Sequence, residues 1–265
     1  MCRFFGLFTL CLLPLATFAP VIVAQETQIT VTILYDNLWH DDRLEFDWGF
    51  AALIELGDRT VLLDTGTQGD MFMRNLRTLE KDPADIDALV ISHAHGDHTG
   101  GMEALFASGA RPTVYLLEAF PQELRQQTAA VTTVVEPEPG DQIVAGVFTT
   151  GQVGQAIPEQ AVAIETGVGL VVITGCAHPG VVEMTQRVRD LSEEPIHLVM
   201  GGFHLIGASG QQLQAAVQGL LALEVEQVGV SHCSGMPAIA AFSRQYGSDF
   251  VPLGVGRVLT FPSPQ

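Results

Sequence analysis

Three histidines and an aspartate within six residues constrain the fold of this chain more than any other feature. They form the motif His93-Ala94-His95-Gly96-Asp97-His98, directly after the apolar run at residues 86–91. Such a run is typical of a strand buried on both faces, and a core does not tolerate so many unpaired polar groups. The strand is therefore predicted to end at an open edge of a sheet.

The spacing within this motif predicts a pair of metal ions. His93 and His95 lie two residues apart, so in an extended chain they point to one side and can bind one ion. Asp97 and His98 can reach a second ion, and Gly96 is expected to let the backbone bend sharply. Imidazole nitrogen with carboxylate oxygen suits two divalent ions, zinc first, with iron or manganese as alternatives. The competing interpretation is a surface loop that is rich in histidine by chance.

Composition limits the class of protein and of partner. The chain has 265 residues, 47% hydrophobic and 16% charged, which allows a large buried core and argues against disorder. The formal net charge is −18, so the surface repels phosphate backbones and nucleic acid is a poor candidate partner. We expect a small-molecule substrate. The sequence does not indicate an oligomeric state.

The N-terminal segment differs in kind from the rest. Arg3 precedes an uncharged apolar run at residues 4–23, and the small residue Ala24 precedes the first acidic residue, Glu26. This pattern predicts a signal peptide over residues 1–24 and a mature domain over residues 25–265, with a secreted or periplasmic location and no stable membrane association after cleavage. The alternative is an uncleaved membrane anchor, because the run is nearly long enough to span a bilayer.

The remaining chain alternates strand-like and helix-like segments. Residues 136–160 are rich in Gly, Pro and polar residues, and they are read as a β-meander or a loop over the site. The pattern predicts one domain with helices packed outside two sheets. The predicted strands are residues 29–35, 50–56, 60–63, 86–91, 112–117, 131–135, 161–165, 170–174, 196–200 and 225–230, and the predicted helices are residues 70–80, 99–107, 179–191 and 210–223.

Residues 92–101 (SHAHGDHTGG) resemble the metal-binding motif of the metallo-β-lactamase superfamily, and residues 62–66 (LLDTG) resemble its early aspartate motif. Four further stretches resemble the subgroup of dihydropterin-ribofuranosylaminobenzene-phosphate-synthase-like proteins: residues 34–37, 174–180, 201–205 and 232–235. The resemblance spans residue 29 to about residue 261. It implies a four-layer αββα sandwich of the α/β class, with the metal site at the edge between the two sheets.

The chain departs from the common superfamily pattern at two positions. Gln152 stands near where many members have a third histidine, and Cys176 stands where many have a bridging aspartate. The resemblance implies that Cys176 and His178, which follow a predicted strand at extended spacing, replace them as metal ligands. Cys176 as a small buried apolar residue is the alternative.

Two further residues are assigned by their strand-end position and by the same resemblance. His232 follows a predicted strand and matches the superfamily's last histidine, a ligand of the second metal. Its neighbour Cys233 is expected to point away and to be structural, and no disulfide with Cys176 is expected.

Other polar residues at strand ends are candidates for contact with the ligands or the substrate. Asp64 is expected to orient a ligand histidine or Asp97, and Asp36 and Asn37 to contact substrate, although all three could be ordinary turn residues. His204 is read as a ligand, a proton donor or a substrate contact. His40 and His197 are expected to be structural.

These residues support three functional hypotheses. The first is hydrolysis, in which two divalent ions lower the pKa of a water molecule and Asp97, the candidate catalytic residue, holds the second ion and orients the hydroxide. The second is a metal-dependent transferase acting on a pterin diphosphate-like substrate, which the subgroup resemblance implies and the predicted export signal opposes. The third is a non-catalytic metal-binding protein.

Overall fold

The computed structural model describes residues 1, 2, 6 and 28–264. The predicted signal segment therefore lies almost wholly outside the described residues. The strands are β1 (Gln28–Tyr35), β2 (Ala51–Leu56), β3 (Arg59–Leu63), β4 (Ala88–Val90), β5 (Thr113–Tyr115), β6 (Val134–Val135), β7 (Gln142–Val144), β8 (Val147–Thr149), β9 (Val162–Thr166), β10 (Gly169–Thr174), β11 (Ile196–Gly202), β12 (Gln227–Ser231) and β13 (Val258–Pro262). The helices are α1 (Gly69–Thr78), α2 (Gly96–Thr99), α3 (Met102–Ala107), α4 (Gln122–Ala129), α5 (Val181–Leu191), α6 (Gly210–Ala222) and α7 (Gly235–Tyr246).

The strands form two mixed sheets. The first has the order β13-β1-β2-β3-β4-β5-β6, and the second has the order β12-β11-β10-β9-β8-β7. Strands β3 to β6 pair in parallel, as do β10 to β12, whereas the other neighbours pair antiparallel. Parallel neighbours end at the same edge of a sheet, which gathers the loops that follow them.

Alternation of side chains along each strand builds three apolar layers. Val61 and Leu63 face the second sheet, where they pack in one cluster with Val171 and Ile173. Leu62, between them, faces the opposite way and packs with residues of α1 and α3. The outer face of the second sheet packs against α5, α6 and α7. Helices therefore cover both outer faces, and the protein is an αββα sandwich, as predicted.

The sequence pattern missed three elements and misplaced one. Helix α4 is mostly polar and shows no strong helical stripe, whereas α7 begins at a glycine and has Pro237 two residues later, which obscures its start. Strand β13, which pairs with β1, was also not predicted. The predicted helix at residues 99–107 is two helices, and the first, α2, begins inside the histidine motif. No helix in the described residues combines the length and the apolar character needed to cross a membrane.

Candidate metal centre

The polar residues singled out from the sequence meet at one edge of the sandwich. Strands β3 and β4 of the first sheet end just before Asp64 and Ser92, and β10 and β12 of the second end just before the turns of Cys176 and His232. The two sheet edges approach so closely that a Cβ atom on Gly175 would lie 2.0 Å from the Ser92 Oγ. A glycine is therefore required there.

Ligand-type atoms converge in four overlapping groups, and within each group these atoms lie within 4.8 Å of one another. The groups are His93–Cys176–His178, His98–Cys176–His232, Cys176–His204–Cys233 and His93–Asp97–His98. Cys176 belongs to the first three, and its Sγ lies 3.4 Å from the His98 Nε2. His95 joins the cluster through its Nδ1, which lies 3.0 Å from the His93 Nε2. All seven residues predicted as metal ligands are thus brought together.

Four of these histidines are oriented in the same way, by a hydrogen bond at Nδ1. The partners are the Ser92 Oγ for His93 at 2.9 Å, the Asp64 carboxylate for His98 at 2.7 Å, the Glu159 carboxylate for His178 at 2.9 Å and the Asn37 Oδ1 for His232 at 2.9 Å. Donation from Nδ1 leaves each Nε2 without a proton, which is the arrangement that metal-binding histidines adopt. The His232 Nε2 is buried and makes no hydrogen bond, although the Asp97 Oδ2 lies 3.4 Å away.

The electrostatics keep His93 and His98 in the form that binds metal. Burial, together with the neighbouring histidines, lowers the pKa of both to about 3. Both rings are therefore neutral at physiological pH, with a nitrogen lone pair free for a cation. Burial raises the pKa of Asp97, but its contacts with His232 and His98 outweigh burial and hold that pKa well below its usual range.

The family described as the metallo-beta-lactamase superfamily matches residues 47–189. The chain belongs to this superfamily. A protein of Methanocaldococcus jannaschii named 7,8-dihydropterin-6-methyl-4-(beta-D-ribofuranosyl)-aminobenzene-5'-phosphate synthase is 25% identical to it, over 80% of this chain and 90% of its own. These two matches confirm the predicted superfamily and subgroup resemblance.

Solved structures give the same fold. Tm1679, described as a metal-dependent hydrolase of the beta-lactamase superfamily, matches with a TM-score of 0.72 at 25% identity, over 87% of this chain and 98% of its own. A diphosphatase from the PhnP family matches with a TM-score of 0.63 at 16% identity, over 90% of this chain and 99% of its own, which shows the fold alone. The superfamily and these relatives are metal-dependent enzymes, but a synthase and a hydrolase resemble this chain at the same identity. The reaction is therefore not determined by likeness.

The metallo-beta-lactamase centre of this chain depends on a residue that the sequence pattern did not indicate. Glu159, fully buried in the loop before β9, accepts hydrogen bonds from the backbone N–H groups of Cys176, Ala177 and His178 at 2.7–2.9 Å and from the His178 ring. Burial raises its pKa, yet these bonds lower that pKa to about 2. The ionised carboxylate thus fixes the turn that carries Cys176 and His178, in which Ala177 has a φ of 56°.

Trp48 and Ser92 were also missed. Trp48 donates from its indole N–H to the Asp97 Oδ2 at 2.8 Å, and Ser92 bonds both His93 and Asp64. Ser92 directly precedes the histidine motif, which is a signal that could have found it. Nothing in the spacing of residues near Trp48 points to a role.

The residues assigned to contacts around the ligands divide into two kinds. Asp64 contacts His98, and Asn37 contacts His232 through both its side-chain oxygen and nitrogen. Asp36 is fully buried and accepts from the Leu38 N–H at 2.9 Å, so it occupies the turn and does not face substrate. Burial raises the pKa of Asp36 to about 6.

One expectation about side-chain direction was wrong. Cys233 does not point away, because its Sγ lies within 4.8 Å of ligand atoms of Cys176 and His204. The positive φ of His232, 48°, starts a 3-10 turn that replaces the alternation of an extended strand. At Gly96 the chain turns from extended backbone into α2, but a Cβ atom there would meet nothing within 4 Å, so the turn does not require a glycine.

The other two histidines of interest lie on different sides of the sandwich. His204 is exposed and its ring centroid is 4.3 Å from that of His178, so it borders the centre. His197 begins β11 at the opposite edge, where it contacts Glu226 at 2.8 Å and packs near Phe261. Cys176 and Cys233 are both free thiols.

Proposed function

We propose that the protein is a metal-dependent hydrolase that holds two divalent ions at this centre. The observation that carries the proposal is the position of Cys176, whose thiol belongs to three ligand groups at once, among them the group of His93 and His178 and the group of His98 and His232. His93, His95 and His178 would hold one ion, and Asp97, His98 and His232 the other. Cys176 would lie between the two groups and serve both.

The donor set suits such ions. Imidazole nitrogen, thiolate sulfur and a carboxylate oxygen are zinc ligands, and iron or manganese accept most of the same set. A buried imidazole nitrogen without a partner, as at His232, is costly unless a cation or water occupies the space it faces. When bound, divalent ions supply a water of lowered pKa and polarise a carbonyl or phosphoryl oxygen.

The chain's own residues would complete the reaction. The Asp97 side chain lies at the open face, where it would orient the attacking water while the Trp48 N–H holds its carboxylate in place. His204 stands exposed beside His178, where it would donate a proton to the leaving group. Glu159, by contrast, is buried and would act only by holding the turn that carries Cys176 and His178.

A transferase is the second candidate, supported by the relative named as a synthase. Such an enzyme would use the same ions to bind a diphosphate leaving group while another nucleophile attacks. A metal-binding protein without catalysis is the third. The ligand set is common to all three, so only turnover separates them.

Metal analysis followed by a substrate screen tests the proposal. Protein purified without chelator is expected to hold about two ions per chain, and His95→Ala and Asp97→Ala should each lose part of the metal. The loaded protein is then assayed with phosphoester, thioester and lactone substrates, and with a pterin diphosphate plus an aromatic amine acceptor. Product formation that requires the acceptor would favour the transferase, and failure to take up any metal on titration would end both enzyme proposals.

We further propose that residues 1–24 are an export signal and that the protein acts outside the cytoplasm on a small molecule. The uncharged apolar run and the following Ala24 support this. N-terminal sequencing of the protein recovered from the medium or periplasm tests it, and finding Met1 intact in a membrane fraction would favour the anchor instead.

A further inference from the structure

Trp48 occupies the mouth of the metal centre. Its indole N–H donates to the Asp97 Oδ2 at 2.8 Å, and its ring centroid lies 5.0 Å from that of His232 at an interplanar angle of 51°. Thr67 fixes the segment by donating to the Trp48 carbonyl. The side chain is nevertheless 44% exposed, so part of the ring remains open to solvent beside the centre.

Two more exposed apolar side chains border the turn of His232. Ile206 is 56% exposed and Met236 is 66% exposed. Ile206 packs over Gly235, where a Cβ atom would lie 2.8 Å from its Cγ1, and its N–H donates to the Cys233 carbonyl at 3.2 Å. Apolar side chains gathered beside a cluster of convergent polar groups are the usual lining of a small-molecule site.

Arginine and lysine do not bond to the cluster within residues 28–264. None of the hydrogen bonds and ion pairs that the structure gives for the cluster residues involves either of them. Arg43 lies near Trp48 in sequence and pairs with Asp41. Arg74 lies in α1 and pairs with Glu45. With a net charge of −18, the chain offers an anionic substrate little besides the ions themselves.

From these contacts we infer that Trp48 determines specificity, and that the substrate is an uncharged ester, thioester or lactone carrying an aromatic or apolar group. That group lies against the open face of Trp48 and beside Ile206 and Met236, while the Trp48 N–H positions Asp97. The inference rests on the proposed hydrolase function for its substrate class. The positioning of Asp97 by Trp48 rests on geometry alone.

The chain offers a matched control, because both of its tryptophans are exposed but only Trp48 contacts the metal centre. Trp39 is 60% exposed, and its indole N–H donates to the Asp41 carbonyl at 2.9 Å in a surface loop. In a Trp39→Phe protein Trp48 is the single indole fluorophore. Zinc titration of that metal-stripped protein is expected to change its emission, whereas zinc titration of Trp48→Phe, which retains only Trp39, is expected to change little.

Substitution separates the two roles of Trp48. Trp48→Phe keeps a ring but loses the N–H, so its zinc affinity should fall roughly 10-fold while its affinity for 1-naphthol, measured by calorimetry on zinc-loaded protein, should change by about twofold or less. Trp48→Ala should lose about 3- to 10-fold in 1-naphthol affinity as well. Trp39→Ala should change neither, and urea unfolding of each variant shows whether it is folded.

Binding of 1-naphthol needs no turnover, so the inference and the proposed function fail separately. Absence of turnover on every substrate, with the binding pattern above, would overturn the hydrolase and retain Trp48 as the positioning and aromatic-binding residue. If Trp48→Ala binds zinc as tightly as the parent protein does, and also binds 1-naphthol as tightly as the parent does, the inference is overturned even in an active hydrolase. Tighter binding of 1-naphthalenesulfonate than of 1-naphthol would overturn the assignment of an uncharged substrate.

Discussion

Asp64 and Glu159 are both fully buried carboxylates, and each supports one half of the metal centre. Asp64, at the end of β3, accepts hydrogen bonds from the backbone and hydroxyl of Ser92 and from the His98 ring. Glu159, in the loop before β9, accepts from three consecutive backbone N–H groups and from the His178 ring. Asp64 holds the histidine motif of the first sheet, and Glu159 holds the Cys176–His178 turn of the second sheet.

The two carboxylates differ in pKa. Burial raises the pKa of Asp64 to about 7, and its donors do not offset that effect. Burial acts in the same direction on Glu159, but the His178 ring, the nearby His93 and the backbone donors outweigh it and lower the pKa to about 2. Backbone N–H groups aimed at a carboxylate stabilise its ionised form strongly. The donors, and not burial alone, therefore decide which carboxylate has the lowered pKa.

Removing Glu159 should have the largest effect on stability. Glu159→Ala leaves three buried N–H groups without an acceptor, each costing about 1–3 kcal/mol, so the free energy of unfolding should fall by roughly 3 kcal/mol or more. Urea denaturation of the metal-stripped protein measures it. Glu159→Gln, which keeps one acceptor oxygen, should lose clearly less. A smaller loss in Glu159→Ala than in Asp64→Ala would reverse the ranking of the two carboxylates.

Loss of a histidine at the site edge should be the next largest effect. His232→Ala removes a proposed ligand and leaves Asn37 without its partner, so metal affinity or turnover should fall roughly 10-fold or more. His197→Ala, at the opposite edge of the sheet, should leave both nearly unchanged. Metal affinity is measured by competition with a chelator of known strength. Equal losses in the two variants, or a structure with the His232 ring more than about 5 Å from any ion, would contradict this assignment, because zinc–nitrogen bonds are about 2 Å long.

The pH dependence of stability should separate Asp64 from Glu159 by sign. A carboxyl whose pKa is raised on folding contributes stability at low pH that is lost as pH rises, here from about 4 to about 7 for Asp64. One whose pKa is lowered contributes stability that is lost as pH falls, here from about 4.5 to about 2 for Glu159. In metal-stripped protein, Asp64→Asn should therefore make stability rise more steeply with pH between 4 and 7. Glu159→Gln should flatten the curve of stability against pH below pH 4.5. If both variants change the slope of that curve in the same direction, the contrast between the two carboxylates is refuted.

The smallest expected change concerns the cysteines. Cys176 and Cys233 should remain free thiols in the purified protein, since Cys176 lies in three of the candidate metal-ligand groups. Thiol labelling of metal-stripped, denatured, non-reduced protein should modify both, with no effect of prior reduction on the label count. Recovery of a peptide that links Cys176 to Cys233 would overturn the assignment of Cys176 as a ligand.

The sequence predicted those residues of the candidate metal centre that lie close together in the chain or follow a recognisable strand, and it missed those whose contacts are distant in sequence. Four candidate ligands follow one buried strand within six residues, the strand leading to Cys176 is a continuous apolar run and the strand leading to His232 is buried over its last four residues, so position at a strand end was readable. Glu159 contacts a turn 17–19 residues away and Trp48 contacts a carboxylate 49 residues away. No periodicity encodes such pairs, because only tertiary packing brings them together.

Backbone conformation was the second source of error. Cys233 was expected to point away because extended chain alternates its side chains, but the positive φ of His232 breaks that alternation. Histidine is one of the non-glycine residues enriched in this region, but most histidines lie outside it, so its presence does not predict a positive φ. At Gly96 the sequence predicted a sharp bend that a glycine permits, and the chain does turn there from extended to helical backbone.

Glu159 and its neighbour Gln160 have a mechanical consequence. Glu159 accepts hydrogen bonds from the Cys176–His178 turn of the second sheet. The Gln160 side chain donates to the carbonyls of Ile91 and Tyr115 in the first sheet, and the Gln160 backbone N–H donates to the Ser92 carbonyl. Two adjacent residues thus clasp both ligand-bearing loops. Opening either loop strains bonds to the same dipeptide, so the two halves are expected to open as one cooperative unit. An ion captured by one half would consequently slow amide hydrogen exchange in the other, across the gap between the sheets.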